Sequence, residues 1–219
     1  MKKSAFTMLE LVVVIVVLGI LAAMALPRMD RDLRQEAGDN ILSAIRYAQH
    51  MALMDDVTNP RNSDWQRSFW RFGVRACLAS EGDIFYYVGS DKDREGNIDN
   101  SEAAVDPING QIMVGAAGTS CADGSNNNAS SDIFISHKHG IKYTNTIFTN
   151  CGGGTQYIGF DHLGRPHTGF DDSDRPDYSS LLHSDCTLRF EFEDASIDDL
   201  LIRVEKGTGH AFIVGQPDS

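Results

Sequence analysis

Basic side chains are in short supply: 19 Lys and Arg stand against 31 Asp and Glu, giving a formal charge of −12. Sequence-independent nucleic-acid binding rests on Lys and Arg neutralising phosphates, so no nucleic-acid partner is expected. The closing residues Gly215-Gln216-Pro217-Asp218-Ser219 add no basic tail. Catalytic signatures are missing as well. There is no HExxH, no GxSxG and no phosphate-binding glycine loop, so the chain does not read as an enzyme. Gly152-Gly153-Gly154 follows Cys151 with no helical pattern behind it and reads as a turn. No cysteine pair has CxxC spacing, which argues against a zinc ribbon or a thioredoxin-like site.

Charge is also absent from residues 11–26, LVVVIVVLGILAAMAL. From Phe6 to Leu26 the only polar residues are Thr7 and Glu10. As a helix these 21 residues span about 31 Å, the thickness of a bilayer core. Lys2 and Lys3 precede the run, so the N-terminus should stay cytoplasmic and everything after Pro27 should be exported across the inner membrane. Ala23-Met24-Ala25 resembles the cleavage site of an ordinary secretory signal, and a plain signal anchor is the other conventional reading. Both leave Glu10 unexplained. An acid costs roughly 2.5–3.5 kcal/mol at the centre of a membrane helix and less near the interface, so a sequence that keeps one should supply a partner.

The leader MKKSA followed by FTMLELVVVIVVLGILA resembles the N-terminus of type IV prepilins: a short basic leader, then Phe, then Glu at the fifth position after the cut. That resemblance implies cleavage by prepilin peptidase between Ala5 and Phe6 and N-methylation of the new Phe6 amine. It also implies that Glu10 pairs with the Phe6 amine of a neighbouring pilin-like subunit during assembly. Gly19 and Pro27 fall where pilins carry helix-loosening residues, and Ala5 departs from the usual Gly before the cut.

The helical pattern continues beyond the apolar run through Leu33, Ala37, Ile41, Ala44, Ile45, Ala48, Met51 and Ala52, spaced three or four apart. One helix from Phe6 to about Met54 is expected, with a kink near Pro27. The chain thus divides into a leader (1–5), a membrane or filament-core half-helix (6–29), an amphipathic half-helix (30–55) and a β-rich extracytoplasmic head (56–219). In the head, Trp70, Phe72, Val74 and Ala76 alternate with Arg71, Gly73, Arg75 and Cys77, the pattern of a half-buried strand. Residues 83–88 read as its return, and residues 200–204 and 211–214 as a closing hairpin. The fold class is therefore α+β, a long N-terminal helix packed against an antiparallel sheet. Tyr157–Pro166 is similar to a segment of minor pilins and of the minor pseudopilins of type II secretion.

Cys77, Cys121, Cys151 and Cys186 all lie in the exported part, and an even count there suggests two disulfides with three possible pairings. Sequential pairing, 77–121 with 151–186, keeps both loops short; nothing in the sequence speaks against the other two. Asp91 to Glu102 matches a 12-residue calcium loop, with acids at positions 1, 3, 5, 9 and 12 (Asp91, Asp93, Glu95, Asp99, Glu102) and Gly96 at the sharp turn. Asn97 at position 7 would offer its carbonyl, and Glu95 is longer than the usual Asp or Asn. Calcium is the cofactor this spacing suggests, without the flanking helices of an EF-hand. The second acidic group, Asp171, Asp172, Asp174 and Asp177, has no fixed spacing and reads as a polar loop. His137 and His139 would share one face of a strand, with no third ligand at readable spacing. The leading functional expectation is a structural subunit, a minor pilin or pseudopilin of a type IV pilus-like or type II secretion filament. The alternatives are a binding module at a filament tip and an anchored extracytoplasmic calcium-binding protein unrelated to filaments.

Overall fold

A computed structural model describes residues 8–144, 147–152 and 154–216; within the first helix, residues 22–32 are described only as continuous helix. That helix, α1, runs from Met8 to Met54 and includes Pro27, the position of the expected kink. At ~1.5 Å per residue, its 47 residues extend about 70 Å. Its second half buries Ala37, Ile41, Ala44, Ile45, Ala48 and Ala52 of the stripe foreseen from the spacing, with Leu33 and Met51 partly buried and Leu42 added to it. Polar side chains flanking the stripe reach head backbone. Arg34 donates to the Asp199 carbonyl, Arg46 to that of Ala211 (2.9 Å), and Gln49 to those of Gly164 (2.8 Å) and Thr208 (2.9 Å). After Met54 the chain turns away, and Asp55 accepts a hydrogen bond from the Trp70 indole at 3.0 Å.

The head holds two antiparallel four-stranded sheets rather than the one expected. In the first, β1 (Trp70–Ala76) lies between β2 (Ile84–Gly89) and β4 (Tyr157–Phe160), and β5 (Pro166–His167) follows β4 at the edge. The second runs β3 (Phe148–Thr149), β6 (Cys186–Phe190), β7 (Leu200–Val204), β8 (Ala211–Ile213). β6 and β7 alternate as half-buried strands should: Cys186, Leu188, Phe190, Leu200, Ile202 and Val204 face the core. β7 and β8 form the expected hairpin, with Ile202 opposite Ile213.

β1 departs from its expected alternation. Arg71 is 1% exposed and Gly73 is buried, so the polar face is covered as well. Tyr157 and Phe170 lie beneath the Arg71 guanidinium, 5.3 and 5.9 Å from its central carbon to the ring centroids. The Phe170 ring in turn occupies the space above Gly159, where a Cβ would lie 2.3 Å from its Cζ, so only glycine permits this layer. Cys77–Cys121 ties the end of β1 to the long polar loop at 117–131, and Cys151–Cys186 ties the segment after β3 to the start of β6. The pairing is the sequential one. His137 and His139 lie on a short helix, α2 (Ile135–His139), and not on a strand; Gly140 ends it in the left-handed conformation (φ 64°).

Candidate functional site

Two regions of the molecule carry features that its own packing does not explain. The first is the N-terminal half of α1. Every large apolar side chain from Met8 to Leu21 is exposed, from 48% at Val17 to 86% at Met8. A contiguous apolar surface of this extent marks a region that packs on something beyond this chain. Gly19 has open space where a Cβ would stand, so no contact within the chain requires a glycine there. Glu10 is exposed in the first described turn of α1. Ala5 and Phe6, the expected cleavage pair, lie outside the described residues. Among the described residues no helix is long and apolar enough to cross a membrane. The described side chains of the apolar run are those of Met8 to Leu21.

The second region is the acidic loop that follows β2. Its ends are held together at the base: the Ser90 amide donates to the Glu102 carbonyl (3.1 Å) and the Ala104 amide to that of Val88 (2.8 Å). Ile98, buried to 3% exposure, pins the middle of the loop over Gly89. Gly96 has φ 91°, a conformation that makes glycine the fitting residue at the turn. Asp91 is wholly buried. Its Oδ2 accepts from Arg71 Nη2 (3.1 Å) and from the Gly96 amide (2.9 Å), while its Oδ1 has no hydrogen-bond partner. Glu102, 4% exposed, accepts from the Lys92 (2.6 Å) and Asp93 (3.0 Å) amides on Oε1 and from the Asp99 amide (3.2 Å) on Oε2. Asp91, Asp93 and Glu102 each bring a carboxylate oxygen within 4.8 Å of the others.

The other three expected ligands are not gathered in. Glu95 and Asn97 are exposed, and the Asp99 carboxylate is turned to Ser101, accepting from its amide (2.7 Å) and hydroxyl (2.8 Å). Burial pushes the Asp91 carboxyl above the usual range, against the pull of Arg71 and the Gly96 amide, with Glu102 and Asp93 adding to the push. Sequence spacing named Asp91, Asp93 and Glu102 but missed Arg71, because its place in an alternating strand suggested solvent.

The remaining candidates do not assemble. His137 is exposed and contacts the Ala122 carbonyl (3.0 Å), whereas His139 is buried and its imidazole is pushed to lower pKa by that burial. In the second acidic group Asp171 accepts from the Tyr157 hydroxyl on β4 (2.7 Å) and Asp177 caps Ser179, and among the described residues these acids do not gather into a cluster. A tight turn between β4 and β5 was not foreseen as a network. Asp161 accepts from the Leu163 and Arg165 amides (3.0 and 2.9 Å) and from the Arg165 guanidinium (2.7 and 2.6 Å), with His167 Nε2 at 3.4 Å. Burial raises this carboxyl's pKa, but the bonds from His167 and Arg165 outweigh it and hold the group well below the usual range.

Residues 1–26 match the family model described as the prokaryotic N-terminal methylation motif. No curated protein and no solved structure matches the chain.

Proposed function

We propose that the protein is a type IV pilin-like prepilin, a minor pilin or pseudopilin that serves as a structural subunit of a type IV pilus-like or type II secretion filament. The N-terminal methylation motif at residues 1–26 supports this reading. The observation that carries the proposal is the methylation motif at residues 1–26 leading into a helix whose apolar half is bare and whose second half is bound to a folded head. Before assembly the apolar half sits in the inner membrane and the head lies outside the cytoplasm. Two closed disulfides support an oxidising location for the head. Prepilin peptidase removes residues 1–5 and leaves Phe6 as the new, methylated N-terminus.

In the filament the bare side chains pack against those of other subunits, and water leaves. A carboxylate moved out of water needs an opposite charge and hydrogen-bond donors. Glu10 lies about one helical turn beyond Phe6, so the terminal amine of a neighbouring subunit can reach it once the helices are staggered. This pairing makes assembly depend on prior cleavage, since the uncut leader keeps the Phe6 nitrogen in a peptide bond.

The test is mass spectrometry of the mature N-terminal peptide. It should begin with N-methyl-Phe6, and the chain should then carry a formal charge of −14: 19 basic residues less Lys2 and Lys3 leaves 17, against 31 acids. A mature chain beginning at Leu26 would refute the proposal.

A further inference from the structure

We propose that Asp91, Asp93 and Glu102 form a calcium site on the head. The proposal does not rest on the filament reading, and the two can fail separately. Three carboxylates with oxygens within 4.8 Å of one another repel strongly unless something positive lies among them. Arg71 supplies part of that charge from below, through Asp91 Oδ2. The charges of the three acids sum to −3, Arg71 returns +1, and the −2 that remains matches one divalent ion. The basic residues of the loop itself are engaged elsewhere: Arg94 pairs with Asp64 at 3.2 Å, and the Lys92 ammonium lies 5.8 Å from the Trp70 ring centroid.

The second observation is Asp91 Oδ1. It belongs to a side chain with no exposure and has no partner of its own, although Oδ2 has two. A buried carboxylate oxygen without a donor is costly, and a cation satisfies it better than any neutral group. The donor set consists of carboxylate oxygens alone, which selects a hard cation over zinc or copper. Glu102 is held by three backbone amides and Asp91 by Arg71 and Gly96, so these two ligands are fixed before the ion arrives. Asp93, at the exposed rim, closes the site. Calcium accepts the irregular shell that such a loop offers, completed by water, whereas magnesium demands a tight octahedron.

The full chain in detergent micelles, stripped with chelator, is titrated with calcium and with magnesium by calorimetry, alongside thermal unfolding. One calcium per chain should bind with a dissociation constant of about 10⁻⁴–10⁻³ M, and magnesium at least about tenfold more weakly. At ten times that constant the folding equilibrium shifts elevenfold, which raises the melting temperature by roughly 3–6 °C for a chain of this size. Asp93→Asn, at an exposed position, should keep the chelated melting temperature and weaken calcium about tenfold. Absence of binding at several millimolar calcium, equal affinity for magnesium, or wild-type affinity in Asp93→Asn would each overturn the site.

Discussion

Replacing Asp161 by Asn removes one charge from the turn between β4 and β5 and changes little else in shape. The amide oxygen can keep the two bonds that Oδ1 accepts from the Leu163 and Arg165 amides, which hold the turn closed. On the other side an NH₂ group replaces Oδ2 and faces the Arg165 guanidinium, which now lacks an acceptor. A neutral His167 can accept from the new NH₂ at Nε2 and keep Nδ1 on Ser180. A hydrogen bond to a charged group contributes about 1.5–3 kcal/mol. Arg165 is 35% exposed, so water refills part of its loss, and at His167 a contact to a carboxylate is exchanged for one to a neutral amide. The net cost is about 2–3 kcal/mol near pH 7, or roughly 4–12 °C in melting temperature. The pH dependence is the sharper check. Asp161 has its folded pKa depressed below the usual carboxylate value. Its contribution is therefore complete above the unfolded value of about 3.9 and is lost as pH falls below that. Urea unfolding of wild type and variant from pH 7 to pH 2 should show a gap that is constant above about pH 5 and narrows below about pH 4. Parallel curves across that range, or a gap under about 0.5 kcal/mol at pH 7, would refute the reasoning.

Glu10→Ala should leave insertion and export intact while incorporation into purified filaments, measured by immunoblot, falls several-fold; wild-type incorporation would remove the role given to this carboxylate. Converting either Cys77 and Cys121 or Cys151 and Cys186 to Ala should cost up to about 4 kcal/mol in denaturant unfolding, because the bridges span 44 and 35 residues and restrict the unfolded chain accordingly.

The long helix was legible because two independent signals agree on it, the uncharged run to Leu26 and the three-and-four spacing to Ala52. The second sheet was legible only in its β7–β8 hairpin. β3 is two residues long, and β6 reaches it across nearly forty positions, so no local alternation announces the pairing. Arg71 was misassigned for a related reason. Its cover comes from Tyr157, Phe170 and Asp91, all distant in sequence, and a strand pattern reports one face only when the other meets water. In the acidic loop, spacing identified the candidate ligands but could not say which would converge. Asp93 and Asp99 both accept the amide two residues on, from Glu95 and Ser101, yet only Asp93 lies with Asp91 and Glu102, so local turn chemistry alone does not separate them.

The seam between α1 and the head has a mechanical consequence. Arg34, Arg46 and Gln49 all grip main-chain carbonyls, at Asp199, Ala211, Gly164 and Thr208, over about 22 Å of helix. A pull along the helix axis loads these anchors together, in shear, so they must yield nearly at once instead of opening one after another like a zip. Because the acceptors are backbone, the grip also tolerates drift in side-chain identity around the closing hairpin. A head attached in this way can have its outer surface rewritten while it continues to bear tension.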